Sequence, residues 1–297
     1  MNACLIANPA AGRGRGARRL PHVREALAAV GIRDVRLTRF AGDERHLAAE
    51  AAASGIESIV ALGGDGTWGN VARGIVESGR DARMVPIAGG TGNDFPHALG
   101  LPAHDPVAMA RIAAGQASQR VDLGWAGEIA FLNVAGFGIE TEVLRSTRRI
   151  ARLSGPLLYV AAALPVLRSY RGFRAAMHVD GEPAAVPTDW CAIVISNGPR
   201  FGGGFRIAPG ASVTDGLADV IAVRDALPLR RLQLFVRARL GTHEGQREVE
   251  RRTASRLTLH FEHPPLLDAD GELHTLQSTA LPIRIQAAAL RVGIARR

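Results

Sequence analysis

Residues 61–70, ALGGDGTWGN, set Gly63, Gly64 and Gly66 around one acid, Asp65, and follow them with Thr67. Three deleted side chains let a backbone approach a ligand closely and adopt positive φ, and a helix starting near Thr67 presents free N–H groups that favour an anion. A polyphosphate suits such a loop. Asp65 would repel bare phosphate, so its presence points to a cation between them, and Mg²⁺ on a nucleotide fits that chemistry. The plain alternative is a turn built from glycine. Residues 87–101, IAGGTGNDFPHALGL, repeat the logic with Gly89, Gly90, the hydroxyl of Thr91, and then Asn93 and Asp94 at the start of a helix. Asn93 and Asp94 read equally well as an ordinary N-cap. A third loop, NPAAGRGRG from Asn8, follows the first strand. Three successive strand ends with phosphate-friendly chemistry are hard to explain by turns alone.

The elements that must position these loops change period along the chain. ACLIAN, DVRLT, SIVALGG and MVPIAGG read as strands, separated by helical runs at 17–31, 42–55 and 67–79, with further helices at DFPHALG and DPVAMARIAAG. Strand and helix in alternation, joined at glycines, predict a layered α/β domain with a largely parallel sheet, and in such sheets ligands bind where strands end. From Gln119 onward, short runs rich in β-branched and aromatic residues, such as EIAFLNVAGFG, DWCAIVISNG and RLTLHFE, are separated by turn signals. That texture suits an antiparallel sandwich or barrel, interrupted by helical insertions near 140–170 and 228–241. The expectation is an α/β nucleotide-binding domain over 1–121, to which a tail at 288–297 returns, and an all-β sandwich domain over 122–287. A site in the cleft of such a pair is the natural arrangement.

Composition narrows the classes. At 297 residues and 47% hydrophobic, the chain can build real cores. Its start lacks the pattern of a signal peptide, and the most apolar stretch, GPLLYVAAALPVLR, is too short for a bilayer and contains Pro165, so a cytoplasmic protein is expected, with peripheral attachment at the inner face of the membrane left open. Cys4 and Cys191 lie in apolar runs without metal-ligand spacing and read as two buried thiols. Nine histidines show no HExxH motif. The formal charge of +8 favours an anionic partner, and all 36 basic residues are arginine. With no lysine, phosphate chemistry falls to backbone N–H groups, arginine and metal.

Asn8-Pro9 with Gly12, GGDGT at 63–67 and GTGND at 90–94, in this order and spacing, resemble the diacylglycerol kinase catalytic domain of soluble bacterial lipid kinases. ISNGPRFGGGFRIAPGASVTDGLADVIAV at 195–223 is similar to that family's NG, GGG, APxA and DGxxDV signature, and DADGELH at 268–274 to its late DGE motif. The resemblance spans nearly the whole chain. It implies ATP bound by Gly63, Gly64, Asp65, Gly66, Thr67, Gly90, Thr91, Asn93 and Asp94, with Asn8 and Thr38 lining the pocket. It implies that Asp65, Asp94 and Asp122 organise the catalytic Mg²⁺, and that a structural cation sits on the Asp215 carboxylate and the carbonyls near Ser212 and Leu217. Asp270 matches the general base that takes the proton of the lipid hydroxyl, assisted by Glu272. A second Asp-Gly-Glu begins at Asp180; flanking alternation suggests a hairpin turn there, and family order favours the later copy. One departure stands out: Gly69 and Asn70 occupy the place of an Asn-Glu pair common in bacterial relatives.

RSTRRIAR at 145–152 and LRRLQLFVRAR at 229–239 mix arginines with Leu232, Phe235 and Val236. They read either as a surface that docks on anionic lipid or as solvated helix faces with an apolar stripe in the core. Nucleic acid is not expected, since aromatics are 5% of the chain and Phe235 alone falls within these runs, too few for a stacking series. A homodimer is left open. The leading expectation is an ATP- and Mg²⁺-dependent lipid kinase acting on diacylglycerol or a similar lipid alcohol. Beside it stand a catalytically weak nucleotide-binding regulatory or membrane-docking protein of the same fold, and an NAD kinase.

Overall fold

The computed structural model describes residues 2–90, 92–147, 149–150, 156–179, 182 and 186–295. The chain forms two units, one running through Leu123 and resuming at Ala287, the other covering Gly124–Gln286.

The first unit contains β1 (Ala3–Ala7), α1 (Ala11–Ala29), β2 (Asp34–Leu37), α2 (Asp43–Ala53), β3 (Ser58–Gly63), α3 (Asp65–Glu77), β4 (Arg83–Ala88), α4 (Phe95–Ala98) and α5 (Pro106–Ala114). Strands β1, β3 and β4 are buried nearly throughout, as expected when helices cover both faces of a parallel sheet. β2, β1, β3 and β4 pair in parallel in that order. The end of the chain adds a fifth parallel strand beside β4, with Arg291 opposite Arg83. Within α1, Gly12, Arg13 and Gly14 depart from the helix into left-handed geometry, so the first loop curls before the helix proper begins. Trp68, wholly buried, pins α3 to the sheet by donating from Nε1 to the Ala61 carbonyl at 3.0 Å.

β5 (Ser118–Ala126) leads out of the first unit, and β15 (Ala280–Gly293) leads back into it. The second unit contains β6 (Ile129–Phe131), β7 (Val134–Gly138), α6 (Ile139–Thr147), α7 (Pro156–Ser169), β8 (Phe173–Val179), β9 (Thr188–Ser196), β10 (Ala218–Arg224), α8 (Pro228–Leu240), β11 (Val249–Ala254), β12 (Arg256–Phe261), β13 (Leu266–Ala269) and β14 (Glu272–Thr275). Its strand pairs are antiparallel: β14 to β13, β13 to β7, β7 to β9, β8 to β9 and β12, β12 to β15, and β10 to β9 and β11. β9 is shared, pairing with both β7 and β10 over Ala192–Ser196, which lets two sheets enclose one core. That core takes alternate residues: Ala135 and Phe137, Ile193 and Ile195, Val220 and Ala222, Leu257, Leu259 and Phe261. The α/β domain and the antiparallel sandwich are both present. α6, α7 and α8 form the helical insertions and pack together through Val143, Ala162, Ala163 and Leu167, with Leu232 and Phe235 against them.

Candidate functional site

In the first unit the parallel order brings the carboxyl ends of β2, β1, β3 and β4 side by side, and with them Thr38, Asn8, Gly64 and Gly89. Thr38 is half-buried and donates its backbone N–H to Ala7 at 3.0 Å. Asn8 ties the loops: its Oδ1 accepts from the amides of Ala10 and Ala11, and its Nδ2 donates to Glu44 at 2.7 Å and to the Thr67 hydroxyl at 3.2 Å. Glu44 reaches Thr67 because Gly74 of α3 has no side chain. A Cβ there would overlap the Arg45 carbonyl, so α2 and α3 meet backbone to backbone.

Asp65 sits in the first turn of α3, and its carboxylate accepts three successive amides, from Asn93 at 2.8 Å, Asp94 at 2.9 Å and Phe95 at 3.1 Å. Asp94 occupies the N-cap position of α4 but makes no capping bond with its side chain, so Asp65 does that work from the neighbouring loop. Asn93, at φ 58°, turns back so that its Oδ1 accepts from the Gly90 N–H and its Nδ2 donates to the Gly90 carbonyl. Burial, and then the Asp94 carboxylate beside it, push Asp65 up to about 7, against the three amides that pull it down.

The glycines carry a correction. Gly63, Gly64 and Gly66 are absent from the positive-φ residues, and Gly64 is extended at φ −116°. Their smallness serves packing between loops. A Cβ on Gly63 would overlap Thr67, one on Gly64 would stand 2.9 Å from the Gly90 Cα, and one on Gly90 would overlap Gly64. The Gly63 carbonyl accepts from Gly89 at 2.6 Å and from Gly90 at 2.9 Å. Positive φ belongs instead to Gly12 and Gly14 in the first loop, where a Cβ on Gly12 would overlap the Gly89 carbonyl. The three loops are therefore fitted to one another.

Other expected residues fall elsewhere. Asp122, buried on β5, accepts from the Ala288 amide at 2.7 Å, where β15 takes φ 51°. Asp215 is exposed and accepts from the Leu217 amide at 3.0 Å, with the Ser212 and Thr214 hydroxyls 3.1 Å apart in the same turn. Gly69 is buried within α3 and Asn70 is half-buried. Thr91 and Asp180 lie outside the described residues.

In the second unit Asp270 and Gly271 form the two-residue turn of the β13–β14 hairpin, with φ 51° and 87°, as an Asp-Gly turn does. A hairpin turn was the ground for setting Asp180 aside, yet Asp270 occupies one too. What distinguishes Asp270 is enclosure. It is buried, and its carboxylate accepts three successive amides: Leu132 on Oδ2 at 2.6 Å, and Asn133 and Val134 on Oδ1 at 2.8 and 3.0 Å. Asn197 holds those donors in place, with its Nδ2 bonded to the Leu132 carbonyl and its amide to the Asn133 carbonyl, both at 2.7 Å. Asp268 accepts from the Gly271 amide at 2.8 Å. Glu272 follows on β14, half-buried.

Residues 2–126 match the diacylglycerol kinase catalytic domain, and residues 133–294 match the YegS C-terminal NAD kinase beta sandwich-like domain. The chain is 31% identical to a probable lipid kinase YegS-like of Chromohalobacter salexigens, over 85% of this chain and 83% of that one. It is 31% identical to a diacylglycerol kinase of Mycobacterium tuberculosis, over 97% and 93%. The chain belongs to the family of YegS-like and diacylglycerol kinases. Its fold is that of a putative diacylglycerol kinase from Bacillus anthracis, with a TM-score of 0.79 at 22% identity, covering 99% of this chain and 97% of that one.

For a lipid kinase of this family, the acids of the first unit fit a divalent cation. Two carboxylates side by side, Asp94 buried and Asp65 half-buried, repel each other, and a cation relieves that repulsion. No group of three or more His, Cys, Asp or Glu side chains suited to a metal occurs among the described residues, so any cation there is completed by other oxygens, as Mg²⁺ on phosphates is. Sequence reasoning missed three members of the kinase's polar framework: Glu44, which reads as a first-turn helix acid; Asn133, which carries no motif; and Glu140. The Glu140 Oε1 is buried without a hydrogen bond among the described residues, over Gly136, where any added Cβ would overlap it.

Proposed function

We propose that this kinase transfers the γ-phosphate of ATP, bound as its Mg²⁺ complex, to the hydroxyl of diacylglycerol or a similar lipid alcohol. The observation that carries this reading is the enclosure of the Asp270 carboxylate by three backbone donors, which fixes a base at one orientation in a buried turn. Phosphoryl transfer asks a protein for positioning, charge neutralisation and a carboxylate near the attacking hydroxyl. The loops around Asn8, Gly63–Thr67 and Gly89–Asp94 hold the nucleotide, and the first-turn amides of α3 meet its phosphates. Asp65 and Asp94 would hold Mg²⁺, which supplies neutralisation of phosphate charge. Asp270, held by the amides of Leu132, Asn133 and Val134, takes the proton of the lipid hydroxyl. Glu272 assists from the next strand. The turn of Ser212, Asp215 and Leu217 offers only oxygen donors and suits a structural cation of the Mg²⁺ or Ca²⁺ kind.

The test is transfer of labelled γ-phosphate from Mg-ATP to diacylglycerol, monoacylglycerol, ceramide, sphingosine and undecaprenol in mixed micelles, with Asp270→Asn and Asp180→Asn in parallel. Label on one lipid, lost with Asp270→Asn and kept with Asp180→Asn, is the expected result. Phosphorylation of NAD without any lipid product would refute the reading.

A further inference from the structure

The structure divides α8 between two apolar faces. Its inner face is occupied: Leu234 is buried, Leu232 and Phe235 pack on the α6–α7 pair, and Phe235 stacks at 5.0 Å on Phe205. Arg231 is also turned inward, paired with Asp225 at 2.6 Å and bonded to the Tyr170 carbonyl. These residues follow the structural alternative for this segment. Its outer face does not. Leu229 is 70% exposed, Val236 49% and Leu240 62%, and Leu227, just before the helix, is 80% exposed. At ~100° per residue, positions 229, 236 and 240 fall within ~20° of one line, so they form a single ridge along the helix.

The charges flanking that ridge point to its partner. By the same geometry Arg237 lies ~80° to one side of Leu229, on the shoulder of the ridge, whereas Arg239, ~80° to the other side, turns inward, with its guanidinium carbon 5.4 Å from the centre of the Phe205 ring. Arg237 is exposed and makes no ion pair among the described residues. The other outward arginine, Arg230, is neutralised by Glu248 at 2.7 Å. No acid occurs anywhere on α8, and the chain as a whole carries +8. An apolar ridge with a cationic shoulder matches an anionic bilayer, in which leucines enter the acyl boundary while arginine meets phosphate headgroups. We propose that the outer face of α8, through Leu227, Leu229, Val236, Leu240 and Arg237, docks this protein on anionic membrane. The other basic run contributes less: Arg145 pairs with Glu142 at 3.2 Å, and positions 148, 151 and 152 lie outside the described residues.

The inference takes its purpose from the lipid kinase reading, since such an enzyme must reach a lipid substrate, and its test is separable from that reading. The full-length protein is sedimented with vesicles of phosphatidylcholine alone and with vesicles containing about a third phosphatidylglycerol. Binding to the anionic vesicles is expected, falling as salt rises. The triple variant Leu229→Gln, Val236→Gln, Leu240→Gln should bind at least ~10-fold more weakly, and Arg237→Gln roughly 5-fold more weakly. Both should keep the wild-type unfolding temperature, because the changed side chains face water. A second arm compares phosphorylation of a short-chain diacylglycerol dissolved as monomer with that of a long-chain one in vesicles; the triple variant should lose only the latter. Absence of phosphorylation in both, with vesicle binding intact and lost in the variant, would overturn the kinase reading and leave the docking face standing. Equal vesicle binding by wild type and triple variant would overturn the docking face. So would a wild-type dimer that the triple variant splits without change in vesicle binding, because the ridge would then join two copies of this chain.

Discussion

In the first unit the Asp65 carboxylate gathers the amides of Asn93, Asp94 and Phe95; in the second the Asp270 carboxylate gathers those of Leu132, Asn133 and Val134. Three consecutive donors on one carboxylate fix a loop to a distant element, here across 28–30 residues in one case and 136–138 in the other. The surroundings differ. Asp65 begins a helix, lies beside a second acid, and is pushed up to about 7 by burial and by that neighbour. Asp270 lies at φ 51° in a hairpin turn, a conformation few residues other than glycine hold without support, and the donors are that support. The same device thus serves a carboxylate pair suited to a cation in one unit, and a carboxylate aimed singly in the other.

The largest effect that separates the two is catalytic. Asp270→Asn should lower kcat by about 10²–10⁴-fold while leaving the KM for ATP nearly unchanged. Asp65→Asn should raise that KM as well, since it loosens α4 and, on the proposed reading, removes a carboxylate from the cation. Steady-state kinetics with ATP varied against a saturating lipid decides it. If Asp270→Asn raised the ATP KM as much as Asp65→Asn does, the division of labour would be wrong. Each variant leaves one amide without its oxygen acceptor and should lose about 1–3 kcal/mol in urea unfolding.

Next in size come the glycines. Gly90→Ala should cost about 1–3 kcal/mol in protein free of nucleotide, because its Cβ would strike the Gly64 backbone. A glycine kept only for a ligand would leave the nucleotide-free protein as stable as before. Urea unfolding with and without Mg-ATP distinguishes these outcomes.

That correction shows what was legible in the sequence and what was not. Period and glycine junctions revealed the parallel half, because a buried parallel strand and an amphipathic helix leave different spacings. They also placed α6, α7 and α8. β11, reading VERRTA, and β13, reading LLDA, were missed because one is charged and the other short. β15 was missed because Pro282 and an alanine run obscure a strand of 14 residues. The motifs marked Asp65 and Asp270 as chemically active. They could not show which donors hold them, since Asn93 and Leu132 contribute backbone, which no side-chain pattern encodes. Nor could the triplet Asp-Gly-Glu separate Asp270 from Asp180 by its own chemistry. The amides of residues 132–134 give Asp270 its enclosure, and Asn197, within the quoted NG signature, supports them.

A third acid, half-buried with its Oε1 enclosed, supplies the control for this comparison. Glu140 lacks an amide triplet: burial comes first among the causes that raise it well above the usual carboxylate range, the Asp268 charge adds to this, and the amides of Glu140 and Phe137 pull the other way. Burial first, with the Glu140 charge adding to it, raises Tyr170 and Cys191, Cys191 to about 12. The folded protein therefore keeps the Glu140 proton at pH values where the unfolded chain has lost it. The stability this confers is complete below about pH 4.5 and is lost as pH climbs toward the raised value. Glu140→Gln has the shape of the protonated acid and no proton to lose. Its unfolding free energy should match wild type near pH 4 and exceed it progressively above, with a slope of at most about 1.4 kcal/mol per pH unit. Urea unfolding of both proteins from pH 4 to pH 8 measures the difference directly. A difference that stays flat would mean that Glu140 is ionised in the fold, as a carboxylate with a full set of donors would be.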